Sequence, residues 1–156
     1  MIGVLFVCLG NICRSPMAEA VFRHMVAEQN LTDHIKVDSA GTGDWHIGNS
    51  PHHGTQRILD VHQIRHDDLR ARQVQASDFE QFHYIVCMDE DNVRDAKSFA
   101  KRAHNAELVR LLDYAADEPL RNVPDPYFTG NFEQTFELVE KSCKALLHHI
   151  RRQHQI

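Results

Sequence analysis

Met1-Ile2-Gly3-Val4-Leu5-Phe6-Val7-Cys8-Leu9-Gly10-Asn11-Ile12-Cys13-Arg14-Ser15-Pro16 opens the chain and decides how the rest is read. Residues 2–7 form an unbroken apolar run, the pattern of a strand covered on both faces in a parallel sheet. Ser15-Pro16 reads as a helix N-cap followed by a first-turn proline. Ala18, Val21, Phe22, Met25 and Val26 then recur at helical spacing, so a helix is expected to about Gln29. The loop between strand and helix carries the pattern Cys-x5-Arg-Ser.

Further strands and helices alternate after it. Residues 35–39 read as a second strand, leading into Ala-Gly-Thr-Gly. Residues 52–64 read as a helix with Ile58, Leu59 and Val61 on its apolar side, and Ser77 as the cap of a short helix. A third buried strand is expected over 84–88, a polar helix over 89–103 and a fourth strand over 108–112. Asn131 is placed to cap the last helix, with Glu133 and Glu137 near its positive end and Arg151 and Arg152 near its negative end. Phe132, Phe136, Val139, Cys143, Leu146 and Ile150 line one face of that helix. This alternation implies an α/β chain: a single three-layer domain over residues 1–156, with a four-stranded parallel sheet flanked by helices, flavodoxin-like in class. Ligands of such sheets bind beyond the carboxyl ends of the strands, where the first loop lies.

The composition excludes several classes. With 156 residues, 42% apolar, 25% charged and 8% aromatic, the chain is neither collagenous, disordered nor membrane-spanning. Seventeen Lys and Arg against 22 Asp and Glu leave a net charge of −5, so no basic excess serves nucleic acid or an anionic membrane. Cys8, Cys13, Cys87 and Cys143 match neither a disulfide scaffold nor a zinc spacing. The N-terminus lacks the basic start and cleavage site of a signal peptide, so a reducing, cytoplasmic location is expected. The twelve histidines include the pairs His52-His53 and His148-His149, whose members point to different helix faces and read as solvated surface.

The first loop carries the chemistry. Consecutive backbone N–H groups in such a turn can converge into an anion-binding nest, and the helix dipole adds positive potential there. Arg14 offers a planar fork for two phosphate oxygens. Cys8, at the base of the cradle, would have its thiolate stabilised by the same donors and act as a nucleophile. Gly10 and Asn11 are residue types that tolerate left-handed backbone.

The chain resembles the low-molecular-weight protein tyrosine phosphatases along nearly its whole length. The matching segments are residues 4–19, Asp38-Ser39-Ala40-Gly41-Thr42, Asp44-Trp45, Ala71-Arg72-Gln73, Asp78-Phe79, Cys87-Met88-Asp89-Glu90 and Asp125-Pro126-Tyr127. The resemblance implies a phosphocysteine on Cys8, phosphate held by residues 9–15 (Leu9, Gly10, Asn11, Ile12, Cys13, Arg14, Ser15), and Asp125 as general acid and base. It also implies aryl-ring contacts from Leu9, Trp45 and Tyr127, and loop support from Asn11, Ser15 and Ser39. Cys13 would trap oxidised Cys8 as a disulfide. Ile12 favours aryl phosphates, because relatives that dephosphorylate arginine carry threonine there. No metal or cofactor is required. Tyrosine-phosphorylated proteins are the implied partners, with a tyrosine kinase among them, and phosphate and vanadate the implied inhibitors.

Two departures stand out. Leu69 occupies a position where many members carry a histidine that braces Asn11, and Phe128 replaces a tyrosine often found beside Tyr127. Two other functions compete with the phosphatase. A thioredoxin-coupled arsenate reductase of the same fold needs further cysteines on a mobile segment, whereas this chain has none suitably placed and keeps Asp125. A non-catalytic phosphotyrosine reader would need neither Cys8 nor Asp125.

Overall fold

The computed structural model describes all 156 residues. Its elements are β1 (Ile2–Cys8), α1 (Arg14–Glu28), β2 (Ile35–Gly41), α2 (His53–Val61), α3 (Asp78–Gln81), β3 (Tyr84–Cys87), α4 (Glu90–Lys97), β4 (Glu107–Arg110), a 3-10 turn (Leu111–Tyr114), α5 (Pro126–Thr129) and α6 (Phe132–His154). The four strands form one parallel sheet in the order β2-β1-β3-β4.

The apolar run of β1 is explained by its central place. Val4, Phe6 and Cys8 face a large cluster with α1 and α6, while Leu5 and Val7 face a smaller one with Phe79, Phe82 and Ala96. Both faces are dry, so no polar alternation can survive in the strand. Phe6 meets Phe22 of α1 edge-on, with ring centroids 5.5 Å apart. From β1 the chain crosses to β2 on one side and later reaches β3 on the other. The carboxyl ends of β1 and β3 thus open a crevice at the switch point, which is where such sheets take ligands.

Several boundaries differ from expectation. Helix α1 starts at Arg14 with Cys13 in the N-cap position and no side-chain cap, so Ser15 lies inside the first turn. The preceding loop already governs that helix end, and the Ser15 hydroxyl turns to Cys8 instead. Residues 52–64 shorten to α2, which His52 caps by accepting the Gly54 N–H on Nδ1 at 3.0 Å, and which Gln63 in left-handed backbone terminates. His52 is also stacked between His53 and Phe132, so it is not a solvated surface residue.

The expected helix over 89–103 stops at Lys97, after which Phe99 and Ala100 fold back onto the smaller cluster. Strand β4 ends at Arg110, because Leu111 and Leu112 are drawn into the large cluster by the 3-10 turn. Ser77 precedes α3 without a side-chain cap. Asn131 caps α6 as expected, its Oδ1 accepting the Gln134 N–H at 3.0 Å. No helix is long and apolar enough to cross a membrane.

Candidate active site

The chain must turn between Cys8 and Arg14, and the outward bonds of its carbonyls dictate how. The carbonyls of Cys8 and Leu9 accept the N–H groups of Thr42 and Gly43 at 3.0 and 2.9 Å. Those of Ile12 and Cys13 accept the His52 N–H at 2.7 Å and the Thr55 hydroxyl at 3.1 Å. A peptide whose carbonyl is pulled outward turns the next N–H inward. None of the N–H groups of residues 9–13 donates to another group of the protein. Cys8, 3% exposed, lines one cavity together with Leu9, Gly10, Ile12, Cys13 and Arg14. Gly41 permits this packing: a Cβ there would lie 2.8 Å from the Leu9 oxygen and 3.1 Å from the Asn11 nitrogen.

The underside of the loop hangs on Asn11, in left-handed backbone at φ 56°. Its Oδ1 accepts the Arg72 N–H at 3.0 Å, which fixes the orientation of the amide because a backbone N–H can only donate. The Asn11 Nδ2 then donates to Ser15 Oγ at 2.7 Å and to Ser39 Oγ at 3.0 Å. Both hydroxyls act as acceptors here, so each has its own hydrogen free for another partner. Ser15 Oγ lies 3.0 Å from Cys8 Sγ, where its free hydrogen can be donated to a thiolate. Ser39 donates to Glu19 Oε1 at 2.6 Å.

Arg14 is 3% exposed and held by carboxylates from two other loops. Its Nη1 donates to Asp89 Oδ2 at 2.6 Å and to the Val123 carbonyl at 3.0 Å, and its Nη2 to Asp125 Oδ2 at 3.4 Å. Nε, buried, has no partner. Burial alone would pull the guanidinium down. The Cys8 sulfur, Asp89 and Asp125 outweigh it and hold Arg14 above its ordinary value. Asp125 caps α5, a short helix not anticipated from the sequence, by accepting the Tyr127 N–H on Oδ1 at 3.1 Å.

These groups enclose a cavity of about 220 Å³. Cys8, Leu9, Gly10, Ile12, Cys13 and Arg14 form its floor, and Trp45, Asp125 and Tyr127 its walls. Asn11, Ser15 and Ser39 lie beneath it. Sequence reading missed His46 and Phe128 as lining residues, and Asp89 as the partner of Arg14. His46 and Phe128 were signalled only by proximity to matched positions, and Asp89 by lying within the matched segment 87–90. Gly10 is not left-handed; its missing side chain makes room for the His46 ring, 3.1 Å from where a Cβ would stand.

The sequence profile of the family described as low molecular weight phosphotyrosine protein phosphatase matches residues 3–156. The chain belongs to this family. It is 51% identical over 156 residues to the low molecular weight protein-tyrosine-phosphatase YfkJ of Bacillus subtilis, covering 100% of each chain. It is 46% identical over 150 residues to PtpA of Staphylococcus aureus, covering 96% of this chain and 94% of that one. The YfkJ crystal structure superposes with a TM-score of 0.95 at 52% identity, over 98% of this chain and 96% of that one. A drosophila arginine phosphatase superposes at 0.89 with 34% identity, over 95% and 97% of the two chains. Overall similarity therefore leaves the choice of phosphorylated side chain to the pocket itself.

Leu69, where the resemblance led to a bracing histidine being expected, is buried in the core, and the Arg72 backbone N–H holds Asn11. Glu19 is only 8% exposed and forms no ion pair, and burial is the main cause that pushes its carboxyl up to about 7. Asp38 and Asp68 push the same way, while the Ser39 bond and Arg23 oppose them. The folded chain thus binds this proton more tightly than the unfolded one. The resulting stability is complete below the ordinary glutamate range and is lost as pH rises through about 7. In urea unfolding, the wild type should lose up to about 3 kcal/mol between pH 5 and 8 relative to Glu19→Gln. Parallel pH dependence of the two proteins would contradict this account of Glu19.

Proposed function

We propose that the protein hydrolyses phosphotyrosine in proteins through a phosphocysteine on Cys8. The observation that carries this reading is the run of undonated N–H groups at residues 9–13, in the loop that lines one cavity with the buried Cys8. Such a run suits a dianion and stabilises the charge that builds on the equatorial oxygens during transfer. Arg14, anchored through Nη1 and held by one Nη2 hydrogen to Asp125, has Nε and the second Nη2 hydrogen left to bind phosphate oxygens.

In the first step the Cys8 thiolate attacks phosphorus, forming the S–P bond as the bond to the phenolic oxygen breaks. Asp125 gives its proton to that oxygen, so the leaving group departs as a neutral phenol. In the second step the Asp125 carboxylate takes a proton from water as the water attacks phosphorus. The S–P bond then breaks and the thiolate re-forms against the Ser15 hydroxyl. The reaction draws on no metal or cofactor.

The pocket walls support an aryl substrate. Cys8 lies at the floor, so a phosphate must be carried on a long side chain to reach it. Trp45 and Tyr127 flank the mouth for a flat ring, and Leu9 and Ile12 offer apolar contact. Ile12 also favours phosphotyrosine over phosphoarginine, given the threonine of arginine-directed relatives. Phosphoproteins and a tyrosine kinase are the expected partners, and phosphate and vanadate the expected competitors for the nest. Four unpaired thiols suit a cytoplasmic setting.

With p-nitrophenyl phosphate and phosphotyrosine peptides, turnover should persist in EDTA and vanish in Cys8→Ser. Asp125→Ala should lose about 10²–10³-fold in kcat, most with poor leaving groups. Turnover by Cys8→Ser, or a preference for phosphoarginine peptides, would sink the proposal.

Cys13 completes the reading as a redox guard. Burial first, and then the charges on Cys8 and Asp125, push its thiol up to about 12, which leaves Cys8 as the nucleophile of the reduced protein; oxidation of Cys8 removes its charge from beside Cys13. Peroxide converts Cys8 to the sulfenic acid. Attack by Cys13 sulfur then forms the disulfide and releases water. Inactivation by peroxide should be reversed by dithiothreitol in the wild type but not in Cys13→Ser. Equal recovery of the two proteins would remove Cys13 from this role.

A further inference from the structure

Glu19 stands outside the cavity and touches no reacting atom, yet its place in the structure is costly. It is 8% exposed, and its only hydrogen bond is the one it accepts from Ser39 Oγ at 2.6 Å. The nearby cation, Arg23, is committed to Asp68 at 2.8 and 3.1 Å. Asp38 is likewise committed, to Arg72 at 3.0 Å. A buried carboxyl without a cation is disfavoured, and an apolar side chain at this depth would pack more stably. What a carboxyl does here that an apolar group cannot is accept the Ser39 hydrogen.

That hydrogen matters because of how the chain of bonds is directed. Arg72 N–H fixes Asn11 Oδ1 as the accepting end of the amide, so Nδ2 must donate to both serines. Ser39 can accept from Asn11 with good geometry only while its own hydrogen points elsewhere, and Glu19 is where it points. Without that acceptor, the hydroxyl hydrogen is left buried and unpaired, and the Ser39 oxygen is free to rotate away from Asn11. Asn11 would then lose one of the three side-chain bonds that hold its left-handed backbone at φ 56°. Hydrogen bonds linked in series polarise one another, so a loosened link at Ser39 is also felt at Ser15 and the sulfur.

We infer that Glu19 is a positioning residue of the phosphate loop: by accepting the Ser39 hydroxyl hydrogen, it keeps Ser39 bonded to Asn11 and so keeps the Ser15 hydrogen on Cys8. The inference rests on Cys8 being the nucleophile, as proposed above. It names the carboxyl's reach and accepting oxygen, not its charge, as what matters.

Two conservative variants separate those properties. Glu19→Gln keeps the length and an accepting oxygen but has no charge to lose. Glu19→Asp keeps the charge but is shorter by one methylene. Purified proteins are compared by kcat/KM on p-nitrophenyl phosphate and by the rate at which iodoacetate alkylates Cys8, with melting curves confirming that each is folded. Glu19→Gln should remain within about twofold of wild type in both readouts. Glu19→Asp should fall about tenfold in kcat/KM, the worth of one hydrogen bond. In a Ser39→Ala background, Glu19→Asp should have no further effect, because the link it acts through is gone.

Wild-type behaviour of Glu19→Asp would overturn the inference. So would a Glu19→Gln loss equal to that of Glu19→Asp, or losses that multiply in the double variant. An inactive wild type, or an active Cys8→Ser, would instead overturn the functional reading on which the inference rests.

Discussion

One side-chain amide holds the loop in the form the chemistry needs. Asn11 is anchored by the Arg72 N–H on one side, and donates from the other side to hydroxyls on α1 and β2. The three anchors come from segments far apart in the chain, so the amide ties the first loop to the strand edge and the 65–74 connection at once. Left-handed backbone at an asparagine is tolerable but not favoured, and persists only where the surroundings over-determine it. Here they do. The same amide sets the direction of every hydrogen in the chain from Glu19 to Cys8, so loop shape and thiolate stabilisation depend on one residue.

The charge distribution follows the same economy. A net charge of −5 leaves no broad basic surface, yet the cavity floor gathers undonated N–H groups and a guanidinium. Its positive potential comes from peptide N–H groups, the start of α1 and a single guanidinium. Arg14 is itself flanked by Asp89 and Asp125, which hold it charged and in place before a phosphate arrives. On the proposed function, a site built this way would take one small dianion without any need for a broad basic surface. Selectivity is then passed to the mouth, where Trp45, Tyr127 and Phe128 are all more than half exposed.

Much of this was legible in the sequence, for reasons that differ by element. Strand β1 and helices α1 and α6 announce themselves because burial forces an apolar pattern upon them. The nest is legible because a cysteine, a left-handed asparagine and an arginine fall between a buried strand and a helix start. Less was visible where tertiary packing decides. The end of α4 at Lys97 has no stop signal, since a polar helix can fray wherever Phe99 finds the core. Leu111 and Leu112 look like strand, but are pulled into a 3-10 turn by the same core. Glu19 reads as an ordinary helical glutamate. Only the register of α1 against β2 shows that it faces Ser39, and no local pattern encodes that register. The sequence match marked Asp125, whereas its seat at the head of a four-residue helix had to be seen.

The central claim is that phosphate passes through sulfur at Cys8, and a rapid denaturing quench at alkaline pH, where an S–P bond survives, followed by mass spectrometry tests it most directly. Asp125→Ala mixed with p-nitrophenyl phosphate should carry one phosphate on the peptide containing Cys8, because loss of the base slows hydrolysis of the intermediate. Phosphate on any other residue, or none on an enzyme that still releases p-nitrophenol, would contradict the account.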